Sequence, residues 1–174
     1  MKKILLIGLG KMGRNHAEAI KKLNLKIFAA CDINTKTLND FSLKNNFPIS
    51  KCFNDVKKMM EYSKDVDLII IATTADKHLS IIKICAKYRP KKILCEKPMA
   101  QSIYECKQII ELLNKFKIKF GINHQMRKMP QYTEIRKFID LNLLGKLSSM
   151  NVSGGCFGLS NNGSHYLEAF KYLT

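Results

Sequence analysis

Six cysteines occur in the 174 residues, yet none forms a C-x-x-C pair and no His/Cys ligand spacing repeats. That absence argues against a zinc site, so no metal is expected. Cys31, Cys85 and Cys95 sit inside apolar segments and read as buried free thiols of a reducing cytoplasm. No apolar run is long enough for a membrane span, so no membrane partner is expected. Met1-Lys2-Lys3 before Ile4-Leu5-Leu6-Ile7 has the outline of a short signal peptide, but the glycines and charges from Gly8 to Arg14 interrupt it early. A buried first strand explains the run better. Internal repeats and low-complexity linkers are also lacking.

Acidic residues are scarce, 14 against 30 Lys and Arg, leaving a formal charge of +16. The lysines are spread along the whole chain, often beside Asn and Ile, with no dense basic block and no aromatic–basic interleaving. Solvated faces account for that pattern, and nucleic-acid binding is not expected. A positive field would still favour an anionic cofactor or a nucleotide-linked sugar. With 46% hydrophobic and 25% charged residues, the composition is that of a soluble globular protein. The length suffices for one packed domain plus a fragment of another.

Short apolar runs alternate with amphipathic stretches. Strands are expected at 3–7, 26–31, 49–53, 66–73, 92–95 and 120–123. Helices are expected at 14–23, 35–45 capped by Asn34, 55–62 capped by Asn54, 76–88, and 103–114 capped by Ser102 with Glu105 in the capping-box position. The run VDLIIIAT (66–73) is continuously apolar, as befits a strand buried on both faces. This alternation predicts an α/β fold with a doubly wound parallel sheet, whose ligands bind beyond the carboxyl ends of the strands. After about residue 123 the pattern changes. A helix at 132–141 follows Pro130, Gly145 breaks it, 146–153 reads as a new strand, and 164–173 is amphipathic. The expected domains are 1–123 and 124–174.

Gly8-Leu9-Gly10-Lys11-Met12-Gly13 directly follows an apolar strand and opens a helix. Gly8 permits the tight turn, Gly10 lets a pyrophosphate approach the backbone, and Gly13 allows helix–strand packing. The helix amides then receive phosphate charge. Asp32 ends the second strand, where an acid accepts bonds from ribose hydroxyls and repels a 2′-phosphate. NAD(H) is therefore favoured over NADP(H). Glu96-Lys97-Pro98 follows the fifth strand, so Lys97 is placed over the cofactor. A charged surface turn is the plainer reading of that tripeptide.

Taken in order, the glycine string with Asn15-His16, then Cys31-Asp32, Ala72-Thr73-Thr74 with His78, Glu96-Lys97-Pro98 and Leu144-Gly145-Lys146-Leu147 resemble the Gfo/Idh/MocA oxidoreductase family. The resemblance implies a Rossmann domain carrying NAD(P) and hydride transfer to or from a sugar or nucleotide-sugar carbinol or ketone. Lys97 would polarise the substrate oxygen or move its proton, and Glu96, Thr73, Thr74 and His78 would line the cofactor groove. His78 also reads as a surface histidine at a helix start, since Ala75-Asp76 replaces the family's frequent Pro-Asn. Asn161 to Glu168 resembles the family's D-x-x-x-H segment. It places His165 as acid/base and Asn161 where an Asp is usual, so Asn161 orients substrate without sharing a proton. Arg127 reads either as a contact for an anionic substrate group or as a structural ion pair. Family members are longer, with a mostly antiparallel second domain that covers the substrate and mediates homo-oligomerisation. By that pattern 124–174 is the start of a truncated α+β domain. A dinucleotide-binding fragment without catalysis is the competing expectation.

Overall fold

The computed structural model describes residues 2–143, 145–155, 158 and 162–174. Its first strand, β1 (Ile4–Ile7), is buried at all four positions and runs into the glycine loop. α1 (Lys11–Lys22) follows, then β2 (Ile27–Cys31), α2 (Thr35–Asn45), β3 (Cys52–Phe53), α3 (Val56–Tyr62), β4 (Leu68–Ile71), α4 (Ala75–Ala86), β5 (Lys92–Glu96), α5 (Ile103–Lys115) and β6 (Lys119–Asn123). The six strands form one sheet in the order β3-β2-β1-β4-β5-β6. β1 pairs in parallel with both β2 and β4, and β4 with β5. This is the doubly wound arrangement that the alternating pattern predicts.

Strand side chains alternate between two cores. Leu5, Ile7, Ile69 and Ile71 face a cluster with Met59, Ile82 and Ile109. Ile4, Leu6 and Ile70 face another with Ala17, Ile20, Leu38 and Phe41. Apolar residues in β1 and β4 are therefore continuous because both faces are covered by helices. The helix starts are set by side-chain oxygens. Asn34 accepts from the amide of Thr37, and Ser102 from that of Glu105, whose own carboxylate takes the Gln101 amide. Each such cap stabilises its helix by about 1 kcal/mol.

The structure differs from the sequence reading at several places: α1 begins at Lys11 rather than 14, and β4 is Leu68–Ile71 rather than 66–73. The third strand shrinks to Cys52–Phe53, because Pro48 opens a 3₁₀ turn over Ile49–Lys51, with the Lys51 amide bonded to the Pro48 carbonyl at 2.9 Å. The cap of α3 is Asp55, which accepts from Lys58 N at 2.8 Å, not Asn54. α6 (Pro130–Asp140) begins at the proline itself, whose missing N–H costs nothing in the first turn. The described residues of 146–153 form no strand, since none of the six sheet strands offers them a ladder.

The chain divides into two compact units, Met1–Ile122 and Asn123–Thr174. The described residues of the second include a 3₁₀ turn, Gln125–Lys128, and the α-helices α6 and α7 (Ser164–Leu173). Among the described residues, no helix is long and apolar enough to cross a membrane, and no His/Cys/Asp/Glu cluster could hold a metal. Five cysteines are free, and Cys156 lies outside the described residues.

Candidate functional site

Four adjacent strands present their carboxyl ends together. Gly8 follows β1, Asp32 follows β2, Ala72 follows β4 and Lys97 follows β5. The chain leaves β1 toward β3 and returns on the other side at β4, so a crevice opens where the order reverses. Four of the sequence-predicted segments are thereby brought to one edge of the first unit.

The three glycines do different work. Gly8 has φ +86°, and a Cβ there would stand 2.8 Å from the carbonyl carbon and oxygen of Ala72. A Cβ on Gly13 would overlap the Gly8 carbonyl oxygen. Both positions are glycine because the chain's own packing leaves no room. At Gly10 a Cβ would meet nothing within 4 Å. Gly10 is also the N-cap of α1. It provides no side-chain cap, and the first turn carries no acid. Amides facing open space at a helix N-terminus fit a phosphate. Lys11 is exposed beside this opening, and Met12 is half-buried.

Asp32 ties the loop to β2. Its Oδ2 accepts from Leu9 N at 2.7 Å and its Oδ1 from Asn34 N at 2.9 Å. Each carboxylate oxygen accepts more than one hydrogen, so capacity for ribose hydroxyls remains. Leu9 itself is fully buried, and only its backbone serves the site. Thr73 Oγ1 is buried with no hydrogen-bond partner among the described residues, beside the Gly8 turn. Thr74 is the exposed N-cap of α4. Its hydroxyl and Lys77 hold the Asp76 carboxyl below the usual range.

His78 does not line a groove. It is fully buried, with Nδ1 3.0 Å from the Pro98 carbonyl oxygen and 3.3 Å from that of Met99, and Nε2 3.1 Å from that of Thr73. Carbonyl oxygens only accept, so a ring nitrogen bonds the carbonyl it faces only where it carries a proton: Nδ1–H holds the turn after Lys97, and Nε2–H holds Thr73 at the end of β4. Glu96 also turns inward. It is 5% exposed, and its Oε1 lies 2.8 Å from His16 Nε2. With an ionised carboxylate, His16 is the donor. His16–Glu96 therefore joins α1 to the Lys97 turn, a contact that the sequence reading did not give. The signal was present: Gly13, Ala17 and Ile20 mark the inward face of α1, and position 16 borders it. Lys97 is half-buried, and the bond to Pro98 is cis.

In the second unit, His165 lies in the first turn of α7, its ring edge-on to His124 with centroids 5.5 Å apart. Arg127 Nε is 2.8 Å from Glu168 Oε1, and the guanidinium covers the Tyr172 ring at 5.1 Å. The ion pair, one of the two readings of Arg127, holds the guanidinium against α7. Asn161 and Leu144 lie outside the described residues.

Residues 2–124 match the model of an oxidoreductase family with an NAD-binding Rossmann fold. The chain is 24% identical to myo-inositol 2-dehydrogenase of Thermotoga maritima, over 89% of this chain and 50% of that protein. It is 31% identical to the rhizopine catabolism protein MocA of Rhizobium meliloti, over 97% of this chain and 56% of that protein. The chain thus spans about half the length of the curated relatives it matches. The WlbA dehydrogenase of Bordetella pertussis, solved in complex with NADH and UDP-GlcNAcA, shares the fold. Its TM-score is 0.85 at 18% identity, over 99% of this chain and 59% of that one. From its glycine loop to the end of its sixth strand, the chain belongs to the Gfo/Idh/MocA oxidoreductase family.

Proposed function

We propose that this chain carries the cofactor-binding part of an NAD-dependent oxidoreductase that acts on a sugar or nucleotide-sugar carbinol or ketone. The open space beside Gly10 at the start of α1, in a loop that Asp32 holds through Leu9 N, carries the reading. Residues 1–123 form the dinucleotide domain, and 124–174 begin a second domain for substrate and homo-oligomer contacts. The α1 amides and the Gly10 backbone would hold the pyrophosphate, and Asp32 the adenosine ribose. An acid at that place favours NAD(H) over NADP(H). The MocA and inositol dehydrogenase relatives support a polyol or sugar substrate. The WlbA complex supports the nucleotide-sugar alternative.

When bound, the nicotinamide supplies the hydride donor or acceptor. Lys97, on a turn fixed by His78 and His16–Glu96, polarises the substrate oxygen or holds its proton. His165 is the second acid/base group, and Asn161 orients the substrate by hydrogen bonds. The buried free thiols agree with a reducing cytoplasm. Titration with NADH, followed by enhanced nicotinamide fluorescence with NADPH in parallel, tests the core of this reading. Saturable binding that is tighter for NADH supports it; a folded chain that binds neither refutes it.

A second reading rests on the half-length match to relatives: dinucleotide binding without turnover by these residues alone. Saturable NADH binding, with no oxidation of polyols or nucleotide sugars, is its signature.

A further inference from the structure

A cleft of about 400 Å³ opens at the other end of the sheet, between the last turns of α1 and α2. It borders the start of β2 at Ile27 and Phe28, whereas Asp32 follows that strand's end. A five-residue strand separates the two sites by roughly 15 Å. Nothing in the dinucleotide chemistry uses this cleft.

Its wall is apolar, built by Ile20, Leu25, Ile27, Phe41 and Phe47. Three cations stand at its edge, Lys21, Lys26 and Lys51, and no acid lines it. Among the described residues none of the three is ion-paired, in contrast to Lys57, Lys77, Lys91 and Lys137. Lys21, in the last turn of α1, also serves the helix dipole. Lys26 and Lys51 have no such role in α1 or α2. Lys51 Nζ lies 5.4 Å from the Phe28 ring centroid, and Lys3 Nζ lies 5.4 Å from the same ring. The Phe28 ring stacks on Tyr62 on the other face of the sheet, so Lys3 and Lys51 meet it at the sheet edge, while Lys21, Lys26 and Lys51 border the cleft with no acid in its lining. Leu23, beside this edge, is 69% exposed, and Ile49 is 55% exposed. A concave apolar surface of this volume falls within the roughly 300–1,000 Å³ of small-molecule sites.

We propose that this cleft binds a small amphiphilic anion, an apolar ring or medium-length chain bearing one carboxylate or sulfonate, apart from the dinucleotide site. The apolar body displaces water from Ile20, Ile27, Phe41 and Phe47, and the head group meets Lys26 and Lys51. The charge of these lysines selects an anion over a neutral alcohol, and the apolar wall selects an amphiphile over free phosphate.

The probe is 1-anilinonaphthalene-8-sulfonate, titrated into the folded full chain at physiological salt and followed by its fluorescence. One saturable site is expected. In Lys26→Glu/Lys51→Glu its affinity falls at least tenfold, while Lys107→Glu/Lys115→Glu, the same charge change on α5, leaves it within twofold. Decanoate competes with the dye, but decanol and inorganic phosphate do not. NADH affinity stays unchanged in the cleft variant, so failure here is separable from failure of the cofactor reading. Equal losses in both charge-reversal pairs would overturn the proposal, as would dye binding at many weak sites. Binding to anionic lipid vesicles with no response to soluble decanoate would assign the face to a membrane surface and overturn it too. Circular dichroism confirms folding of each variant.

Discussion

Placing alanine at Gly10 and at Gly13 separates packing from ligand binding within one six-residue loop. At Gly10 the backbone is extended, φ −64° and ψ −163°, which alanine adopts freely, and its Cβ meets nothing. Gly10→Ala should change stability by less than about 1 kcal/mol, with a slight gain from reduced freedom of the unfolded chain. The methyl group enters the space assigned to the pyrophosphate. NADH affinity should therefore fall tenfold or more, about 1.4 kcal/mol. At Gly13 the Cβ overlaps the Gly8 carbonyl oxygen, which belongs to backbone and cannot rotate away. Relief requires α1 to move off β1, an overpacking cost of about 1–3 kcal/mol. At roughly 3 °C per kcal/mol for a chain of this size, the Tm of Gly13→Ala should fall by roughly 3–9 °C. Thermal melts and NADH titrations of both variants give the four values needed. A Gly10→Ala chain that binds NADH like the wild type would refute the assignment of that space. A Gly13→Ala chain of wild-type Tm would refute the steric argument.

Asp32→Asn should weaken NADH about tenfold and raise the NADPH-to-NADH affinity ratio; an unchanged ratio would remove Asp32 from cofactor choice. His78→Leu replaces a buried ring packed among three carbonyl oxygens, where its N–H donates, with a side chain that can donate to none. It should cost about 1–3 kcal/mol in urea unfolding, and wild-type stability would mean the N–H is idle. His16→Ala should destabilise by a similar amount, with Glu96→Gln milder because the amide still accepts from His16; equal losses would count against this pairing. Burial pushes the Cys31, Cys85 and Cys95 thiols from the ordinary 9.0 up to about 12. Between those values the folded chain keeps protons that the unfolded chain has released. Stability should therefore be intact below pH 9 and fall from pH 9 toward 12, by about 1.4 kcal/mol per pH unit for each thiol. Urea midpoints that stay flat from pH 8.5 to 10.5 would contradict that burial.

The alternation of apolar runs and capped helices made most of the first unit legible. Strands buried on both faces need continuous apolar residues, and helix starts need a side-chain acceptor, so both leave local marks. Asn34, Ser102 and the run 68–71 are examples. Positions that depend on a distant partner leave weaker marks. The stretch 146–153 has strand-like residues, but β structure requires a neighbouring ladder, which local pattern does not supply. Pro48 redirected the third strand for a local reason that was visible in the sequence.

By itself, the sequence determined the order of the strands and helices, the glycine loop at the first strand's end and the acid at the second's. Those features follow from nearest-neighbour chemistry: periodicity, caps and turn residues. Only the tertiary structure decided which atoms these glycines meet, the Gly8 carbonyl oxygen at Gly13 and nothing within 4 Å at Gly10, because that depends on where α1 meets β1. It also decided that His16 and Glu96, 80 residues apart, share a hydrogen bond, and that His78 braces the Lys97 turn from below. Such pairings are set by sheet order and helix packing, and no window of neighbouring residues contains both partners.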